Sequence, residues 1–289
     1  MIDLHIHGGF GLSFHRGKVE DNLKIASKLK ELGIEWILAT IIALPPEKLK
    51  KALSAIRDAM KETDVIKGAY IEGPFINPLK TGGIPVEFIK SWDIETFKRV
   101  IEEYTDTIKI VTLAPELKES KYLRDFLKDK GIKVAIGHSL ATYGETVEFT
   151  EKGVDLATHI FNAMREFHHR EPGIVGAILE SSIPCEIIAE KHHLHPTTTK
   201  LVYRIKGKES VIPISDATSL AGYDKKEGIF GGRKIINKDG ACFTEDGKLY
   251  GSATLLLDGL KHLTDLGVYN SMSEAKNTLM RTIEKLKIL

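Results

Sequence analysis

The sequence has few cysteines, almost no net charge and no long apolar run. Only Cys185 and Cys242 occur in 289 residues, and no secretory signal pattern accompanies them, so we expect two reduced thiols in a cytoplasmic protein. The 41 basic and 40 acidic residues leave a net charge of +1, which gives no global field to gather nucleic acid. No uninterrupted apolar stretch approaches the roughly 20 residues that a membrane-spanning helix needs. We therefore expect neither a nucleic-acid nor a membrane partner.

Short β-branched runs alternate with longer amphipathic runs, a pattern typical of repeated βα units and a parallel sheet. Strands are predicted at residues 2–7, 36–42, 65–73, 108–114, 133–139, 155–160, 184–190 and 211–217. Helices are predicted at about 20–32, 45–61, 93–104, 117–130, 142–152, 196–206, 254–265 and 273–287, with a short one in GIVGAILESS. Eight such units predict an α/β fold, a (β/α)8 TIM barrel that forms a single catalytic domain over residues 1–289.

The segment after the eighth strand departs from this alternation. In IFGGRKIINKDGACFTEDGKLYGS, two turn signals, Asp239-Gly240 and Asp246-Gly247, lie between alternating segments. It predicts a small β-hairpin insertion.

Residues that commonly bind metals lie at the carboxyl ends of several predicted strands. They are His5 and His7 on the first strand, Glu72 on the third, His138 on the fifth, His159 on the sixth and Asp216 on the eighth. In a barrel these ends share the face that carries the active site. Because residues i and i+2 of a strand point to the same side, His5 and His7 can reach a single ion. The nitrogen and oxygen donors suit zinc, with iron, manganese and cobalt as alternatives.

Each of these residues also has a structural alternative. A lone histidine at a strand end is more often a hydrogen-bonded structural residue than a ligand. Asp216, followed by Ala-Thr-Ser, could cap a helix. The whole set is hard to obtain from packing alone, because each buried polar group would need a separate partner. The set therefore favours a metal site, with Asp216 as the remaining base.

Longer segments covering nearly the whole chain carry a family resemblance. They are DLHIHGG, YIEGPFINP followed by KTGGIP, IGHSLATY, THIFNAMREFHHREPGIVGAIL, EIIAEKHHLHP, ISDATSLAG and DGKLYGSATLLLDGL. In this order they resemble the N-acetylglucosamine-6-phosphate deacetylases of the amidohydrolase superfamily. THIFNAM joined to HHREPG is the most specific of these segments.

The resemblance implies a metal-dependent hydrolase with one or two ions. The ligands it implies are Glu72, His138 and His159 for the main ion, and His5 and His7 for a second ion that shares Glu72. In such enzymes the metal lowers the pKa of a water molecule, which attacks the acetyl carbonyl. Asp216 would take a proton from the water and pass it to the departing amine. The products would be acetate and glucosamine 6-phosphate.

The resemblance also implies substrate contacts and a homodimer. The implied contacts are Asn162 and Ala163 to the sugar, Arg170 and His193 to the phosphate, and His169, Gly83, Leu249, Tyr250 and Gly251 as further members of the site. Arg170 can make two charge-assisted bonds to a phosphate. In the family one phosphate contact is made across a dimer. The alternative for His168 and His169 is an exposed loop.

Some positions depart from the family pattern. Ile84 stands where a histidine usually polarises the acyl oxygen, and isoleucine cannot donate a hydrogen bond. Tyr250 stands where a small residue is usual. Glu190-Lys191-His192 replaces an Asp-Gly-apolar segment, and we expect its bulk and charge to reshape the sugar pocket. Relatives also carry a small β-sandwich from segments outside the barrel, so a compact form lacking it is expected.

The leading hypothesis is a deacetylase acting on N-acetylglucosamine 6-phosphate, a small-molecule amino sugar phosphate. Ile84 and Lys191 motivate an alternative, a deacylase of another N-acyl compound such as an unphosphorylated amino sugar or an acylamino acid. A third hypothesis is a non-catalytic sugar-phosphate binding protein, and the complete metal-ligand set argues against it.

Overall fold

Strands and helices alternate along most of the chain in a computed structural model that describes residues 1–289. The strands are β1 (Ile2–Ile6), β2 (Gly8–Gly9), β3 (Leu12–Ser13), β4 (Trp36–Ile42), β5 (Ile66–Glu72), β6 (Ile108–Leu113), β7 (Lys133–Ile136), β8 (Leu156–Ala157), β9 (Cys185–Ile188), β10 (Val211–Ile214), β11 (Glu227–Phe230), β12 (Arg233–Lys238), β13 (Ala241–Thr244) and β14 (Leu249–Ser252). The α-helices are α1 (Val19–Glu31), α2 (Pro46–Glu62), α3 (Val86–Lys90), α4 (Ile94–Glu103), α5 (Lys118–Asp129), α6 (Tyr143–Thr150), α7 (Gly173–Glu180), α8 (Pro196–Lys206), α9 (Leu256–Asp265) and α10 (Met272–Lys285). Short 3₁₀ helices cover Phe14–Arg16 and Lys208–Ser210.

The main sheet is a parallel barrel with strand order β1-β4-β5-β6-β7-β8-β9-β10. Its two edges meet because the backbone N–H of Asp216 donates to the carbonyl of His5 at 2.9 Å, and Ile6 forms a parallel bridge with Ala217. The predicted (β/α)8 barrel and its eight strands are confirmed. Several strands end earlier than predicted, since their last residues leave the sheet to build the barrel mouth.

The amphipathic pattern of the helices explains how they cover the barrel. α2 starts with Pro46 in its first turn, where the missing N–H of proline costs no helical bond. Its residues Leu49, Leu53 and Ile56 are fully buried, so one face packs inward. All the predicted helices are present, and their ends shift by a few residues. The short helix α3 and the β2–β3 hairpin were not predicted.

The insertion after β10 is larger than the small hairpin that the sequence predicts. Strands β11 to β14 form a four-stranded antiparallel sheet. Asp239-Gly240 and Asp246-Gly247 connect successive strands as predicted, but Gly231-Gly232 adds a turn between β11 and β12. Both glycines have positive φ, 55° and 82°, which favours glycine there. Ala217 bridges Ser252, so the insertion returns to the barrel mouth.

Two further expectations concern the thiols and the membrane. Cys185 and Cys242 are both buried and unpaired. No helix combines the length and the apolar character that crossing a bilayer requires.

Candidate active site

Six buried side chains converge at the carboxyl end of the barrel. His5 lies in β1, His7 directly follows that strand, and Glu72 ends β5. The remaining three each lie two residues beyond a strand end: His138 after β7, His159 after β8 and Asp216 after β10. All six are buried. The fold therefore brings together every residue that the sequence analysis selected as a metal ligand or base.

Glu72 is at the centre of this cluster. Its Oε1 lies 2.7 Å from Nε2 of His138 and 2.8 Å from Nε2 of His159. Its Oε2 lies 3.6 Å from Nε2 of His7. One carboxylate thus faces imidazole nitrogens from three other strands.

Asp216 lies on the other side of the same cluster. Its Oδ1 is 3.0 Å from Nε2 of His7 and 3.6 Å from Nε2 of His5. Two groups of residues could each hold an ion, because the donor atoms within each group all lie within 4.8 Å of one another. One group is His5, His7 and Asp216, and the other is His5, Glu72 and His159. Nε2 of His5 is buried and has no hydrogen-bond partner in the chain. Imidazole nitrogens and carboxylate oxygens are the donors that a divalent ion such as zinc prefers, so the cluster fits a metal.

The Nδ1 atoms orient three of the histidines toward the centre. Nδ1 of His138 donates to the carbonyl of Lys80 at 2.7 Å, and Nδ1 of His7 donates to the carbonyl of Thr40 at 3.2 Å. Nδ1 of His5 lies 3.0 Å from Oε2 of Glu186. Because carbonyl and carboxylate oxygens only accept, each Nδ1 carries a hydrogen. When such a ring gives up its second proton, the lone pair of Nε2 faces the cluster and can bind an ion.

The charges of the cluster are mutually compensating. Burial opposes ionisation of Glu72, but His138, His159 and His5 outweigh it and hold the pKa of Glu72 well below its usual value. Burial also opposes ionisation of Asp216. The hydrogen bond of Asp216 to His7 and the charge of His5 outweigh burial and lower the pKa of Asp216. Burial alone would lower the pKa of His5, but Glu186, Glu72 and Asp216 together raise it to about 10. Both carboxylates are thus ionised at neutral pH.

Three of the selected residues have an uncommon backbone conformation. His138, Ala163 and Asp216 have φ values of 48°, 53° and 48°. Positive φ is rare in residues other than glycine, and such conformations concentrate at functional sites. The helix-cap alternative for Asp216 is wrong, because the next helix is α9 and its N-cap is Leu255.

A cavity opens beside the cluster and contains most of the predicted substrate contacts. The predicted contacts that line it are Gly83, Asn162, Ala163, His193, Leu249, Tyr250 and Gly251, together with His7, Glu72, His138, His159 and Asp216 of the cluster. His5, the remaining member of the cluster, is fully buried and does not line the cavity.

His169 and Arg170 lie outside this cavity. Both are exposed in the loop between β8 and α7, as His168 is, and Nη1 of Arg170 lies 2.8 Å from Nε2 of His169. Of the two predicted phosphate contacts, His193 lines the cavity and Arg170 does not.

The departures from the family pattern at Ile84 and Tyr250 form one apolar wall. Ile84 is buried and lines the cavity. The Tyr250 ring lies against Gly83, where a Cβ atom would come within 2.0 Å of the ring, so this close approach requires glycine. Phe230 packs on Tyr250 with ring centroids 4.9 Å apart.

The third departure does not reshape the sugar pocket as expected. Lys191 and His192 point to the insertion, where Nζ of Lys191 lies 2.5 Å from Oδ2 of Asp239 and Nε2 of His192 donates to the Asp239 carbonyl at 3.0 Å. Neither side chain lines the cavity. Glu190 does not line the cavity either. Its Oε2 accepts from the backbone N–H of His192 at 2.8 Å, and its Oε1 accepts from the backbone N–H of His193 at 2.7 Å and lies 2.5 Å from Nδ1 of His193.

Sequence reasoning missed several residues of the site. Thr81, Gly82, Ile188 and Phe230 line the cavity. Thr81, Gly82 and Ile188 lie in segments that carry the family resemblance, which was a usable signal, whereas Phe230 has none. Glu186 was also missed, although an acidic residue in the middle of the apolar strand PCEIIAE was a usable signal.

A parallel barrel whose mouth gathers buried histidines and carboxylates defines the class of protein, a metal-dependent amidohydrolase. No protein-family model matches the chain, but individual relatives narrow the class. The chain is 35% identical to the N-acetylglucosamine-6-phosphate deacetylase of Bacillus subtilis over 92% of its own length and 69% of that protein. It therefore belongs to the N-acetylglucosamine-6-phosphate deacetylase family.

Two further comparisons agree with this placement. The N-acetylgalactosamine-6-phosphate deacetylase of Escherichia coli O157:H7 is 29% identical over 92% of this chain and 71% of that protein. The crystal structure of the N-acetylglucosamine-6-phosphate deacetylase from Pasteurella multocida superposes with a TM-score of 0.89 and 30% identity, and the match covers 99% of this chain and 76% of that chain. The relatives thus act on two epimeric amino sugars.

Proposed function

We propose that this chain hydrolyses the acetamide of N-acetylglucosamine 6-phosphate to glucosamine 6-phosphate and acetate, as one catalytic domain. The observation that carries this proposal is the buried cluster around Glu72 at the edge of a cavity that contains the expected sugar contacts. Water adds to the acetyl carbon, the C–N bond breaks and the nitrogen leaves as an amine.

We propose zinc as the ion, with Glu72, His138 and His159 as ligands of the main ion and His5 and His7 as ligands of a second. When bound, the ion supplies Lewis-acid activation of the water and of the acyl oxygen. Ile84 contributes no hydrogen bond to that oxygen, because its side chain has no donor.

Asp216 performs the proton transfers in this proposal. Its lowered pKa keeps it ionised, and it lies at the cavity edge, 3.0 Å from Nε2 of His7. A carboxylate in this state accepts the proton of the attacking water and then delivers it to the departing nitrogen. The cavity-lining residues Asn162 and Ala163 orient the sugar, and His193, backed by Glu190, contacts the phosphate.

We also propose that the enzyme works in the cytoplasm as a homodimer. The exposed position of Arg170, outside the cavity of its own chain, supports this arrangement. The guanidinium would then contact the phosphate of a substrate bound to the neighbouring chain.

Acetate release from the zinc-loaded protein tests the proposed activity. We expect rapid release from N-acetylglucosamine 6-phosphate, less from its galactosamine epimer and little from unphosphorylated N-acetylglucosamine. Asp216→Asn should abolish turnover while still binding the sugar phosphate, because it removes the base and keeps the side-chain size.

The apolar wall at Ile84 and Tyr250 favours one alternative, a deacylase of a different N-acyl compound. Preference for the unphosphorylated sugar or for an acylamino acid would support that alternative. Near-normal turnover by Asp216→Asn would contradict the role of Asp216, and sugar-phosphate binding with no release from any N-acyl substrate would indicate a non-catalytic binding protein.

A further inference from the structure

Glu186 is a buried carboxylate to which the proposed reaction assigns no role. It lies in the middle of β9, between the apolar residues Cys185 and Ile187, and is completely buried. Its Oε2 lies 3.0 Å from Nδ1 of His5 and 3.4 Å from the backbone nitrogen of His159. Its Oε1 is buried without any hydrogen-bond partner.

A carboxylate in this environment does not stabilise the folded chain. His5 is its only side-chain partner, and a buried carboxylate with one oxygen left unsatisfied costs free energy. An apolar residue at this position would match its strand neighbours and avoid this cost. The position therefore calls for an explanation in terms of what Glu186 contacts.

The residue that Glu186 contacts, His5, belongs to both candidate metal-binding groups of the cluster. Nε2 of His5 lies 3.6 Å from Oδ1 of Asp216 and 3.9 Å from Oε1 of Glu72, and it has no partner of its own. In a neutral imidazole one nitrogen carries the hydrogen and the other carries the lone pair. When His5 binds an ion in this neutral form, a carboxylate at Nδ1 keeps the remaining hydrogen there and leaves the lone pair on Nε2, facing the cluster.

We propose that Glu186 is a positioning residue that fixes the Nδ1–H tautomer and the ring orientation of His5, and thereby sets the affinity of the barrel mouth for its divalent ion. This inference rests on the metal site of the proposed function but does not depend on the substrate. It assigns no contact with the substrate to Glu186.

Zinc affinity of three variants tests the proposal. Glu186→Ala removes the acceptor, and we expect 10–100-fold weaker zinc binding, the usual loss when the hydrogen-bond partner of a ligating histidine is removed. Glu186→Gln keeps a carbonyl oxygen at the same place and should lose less. Thr112→Val is the control, because Thr112 is equally buried in the barrel but bonds only to Tyr70 and Thr158. The measurement is competition for zinc against a chelator of known affinity.

A purely structural role for Glu186 would lower the stability of Glu186→Ala and Thr112→Val alike and leave both zinc affinities unchanged. Wild-type zinc affinity in Glu186→Ala would therefore overturn the proposal. Should Glu186→Ala not fold, ¹⁵N NMR of the zinc-loaded wild type decides. The imidazole signals of His5 are those missing from the spectrum of His5→Gln. A hydrogen on Nδ1 of His5 supports the proposal, and a hydrogen on Nε2 overturns it.

The two proposals fail separately. Zinc binding that depends on Glu186, without acetate release from any sugar, would contradict only the proposed activity. A wild-type protein that takes up no zinc would overturn the positioning role together with the metal site.

Discussion

At the scale of single residues, two buried tyrosines differ in whether their hydroxyl groups have a partner. The Tyr70 hydroxyl lies 2.9 Å from Oγ1 of Thr158, whereas the Tyr250 hydroxyl is buried with no partner in the chain. Removal of an unpaired buried hydroxyl removes a desolvation cost, so we expect Tyr250→Phe to raise the free energy of unfolding by about 1 kcal/mol. Tyr70→Phe, the matched control, should lower it by about 1 kcal/mol. Urea unfolding of both variants measures the difference, and equal losses would contradict the unpaired state of Tyr250.

The same scale shows what sequence could and could not predict about the site. His5, His7, Glu72 and the other strand-end ligands were predictable, because each lies at the carboxyl end of a predicted strand and these ends share one face of a barrel. The acidic residue in the apolar strand PCEIIAE marked Glu186 as unusual, but the sequence does not show that its partner is His5, 181 positions away. Distant side-chain contacts leave no periodic signal.

At the scale of elements, one carboxylate connects the loop after β5 to the loop after β7, which carries His138. Glu116, in the loop between β6 and α5, accepts bonds from Nδ2 of Asn77 at 2.8 Å, from Oγ of Ser139 at 2.6 Å and from the backbone nitrogen of Leu140 at 2.6 Å. The backbone N–H of Asn77 donates in turn to the carbonyl of His138 at 2.8 Å. The loops after β5 and β7 are thus fixed to each other beside the candidate metal site.

We expect Glu116→Ala to lower the free energy of unfolding by about 2 kcal/mol or more, because three hydrogen bonds are lost and their donors are left without a partner. Urea unfolding measures this loss. Glu119→Ala, an exposed change in the first turn of α5, is the control and should leave stability unchanged. A Glu116→Ala variant as stable as this control would show that the loops are held by other contacts.

Element prediction succeeded where hydrophobic periodicity was strong and failed where turns decided the structure. The eight barrel strands and the helices between them were predicted from apolar spacing. The insertion was predicted as a hairpin because only its two Asp-Gly turns were recognised, whereas Gly231-Gly232 supplies another and makes a four-stranded sheet. The short helix α3 lacks the length for a periodic signal.

At the scale of the whole molecule, the two proposed phosphate contacts do not line the same cavity of one chain. His193 lines the cavity, whereas Arg170 is exposed on the loop between β8 and α7. If Arg170 serves the neighbouring chain, each active site is assembled from two copies. A dimer whose two chains carry different inactivating substitutions can then still form one complete active site.

We expect mixed dimers of Arg170→Ala and Asp216→Asn chains to release more acetate from N-acetylglucosamine 6-phosphate than either variant alone. In such a dimer the Arg170→Ala chain keeps Asp216 and receives an intact arginine from its partner, so one complete site forms. Mixing Glu72→Ala with Asp216→Asn is the control, because both changes damage the same cluster and every site retains one defect. Co-expression with different affinity tags isolates the mixed species, and light scattering gives its mass. A monomeric mass, or no gain over the control, would show that each chain binds the phosphate without Arg170 of a partner.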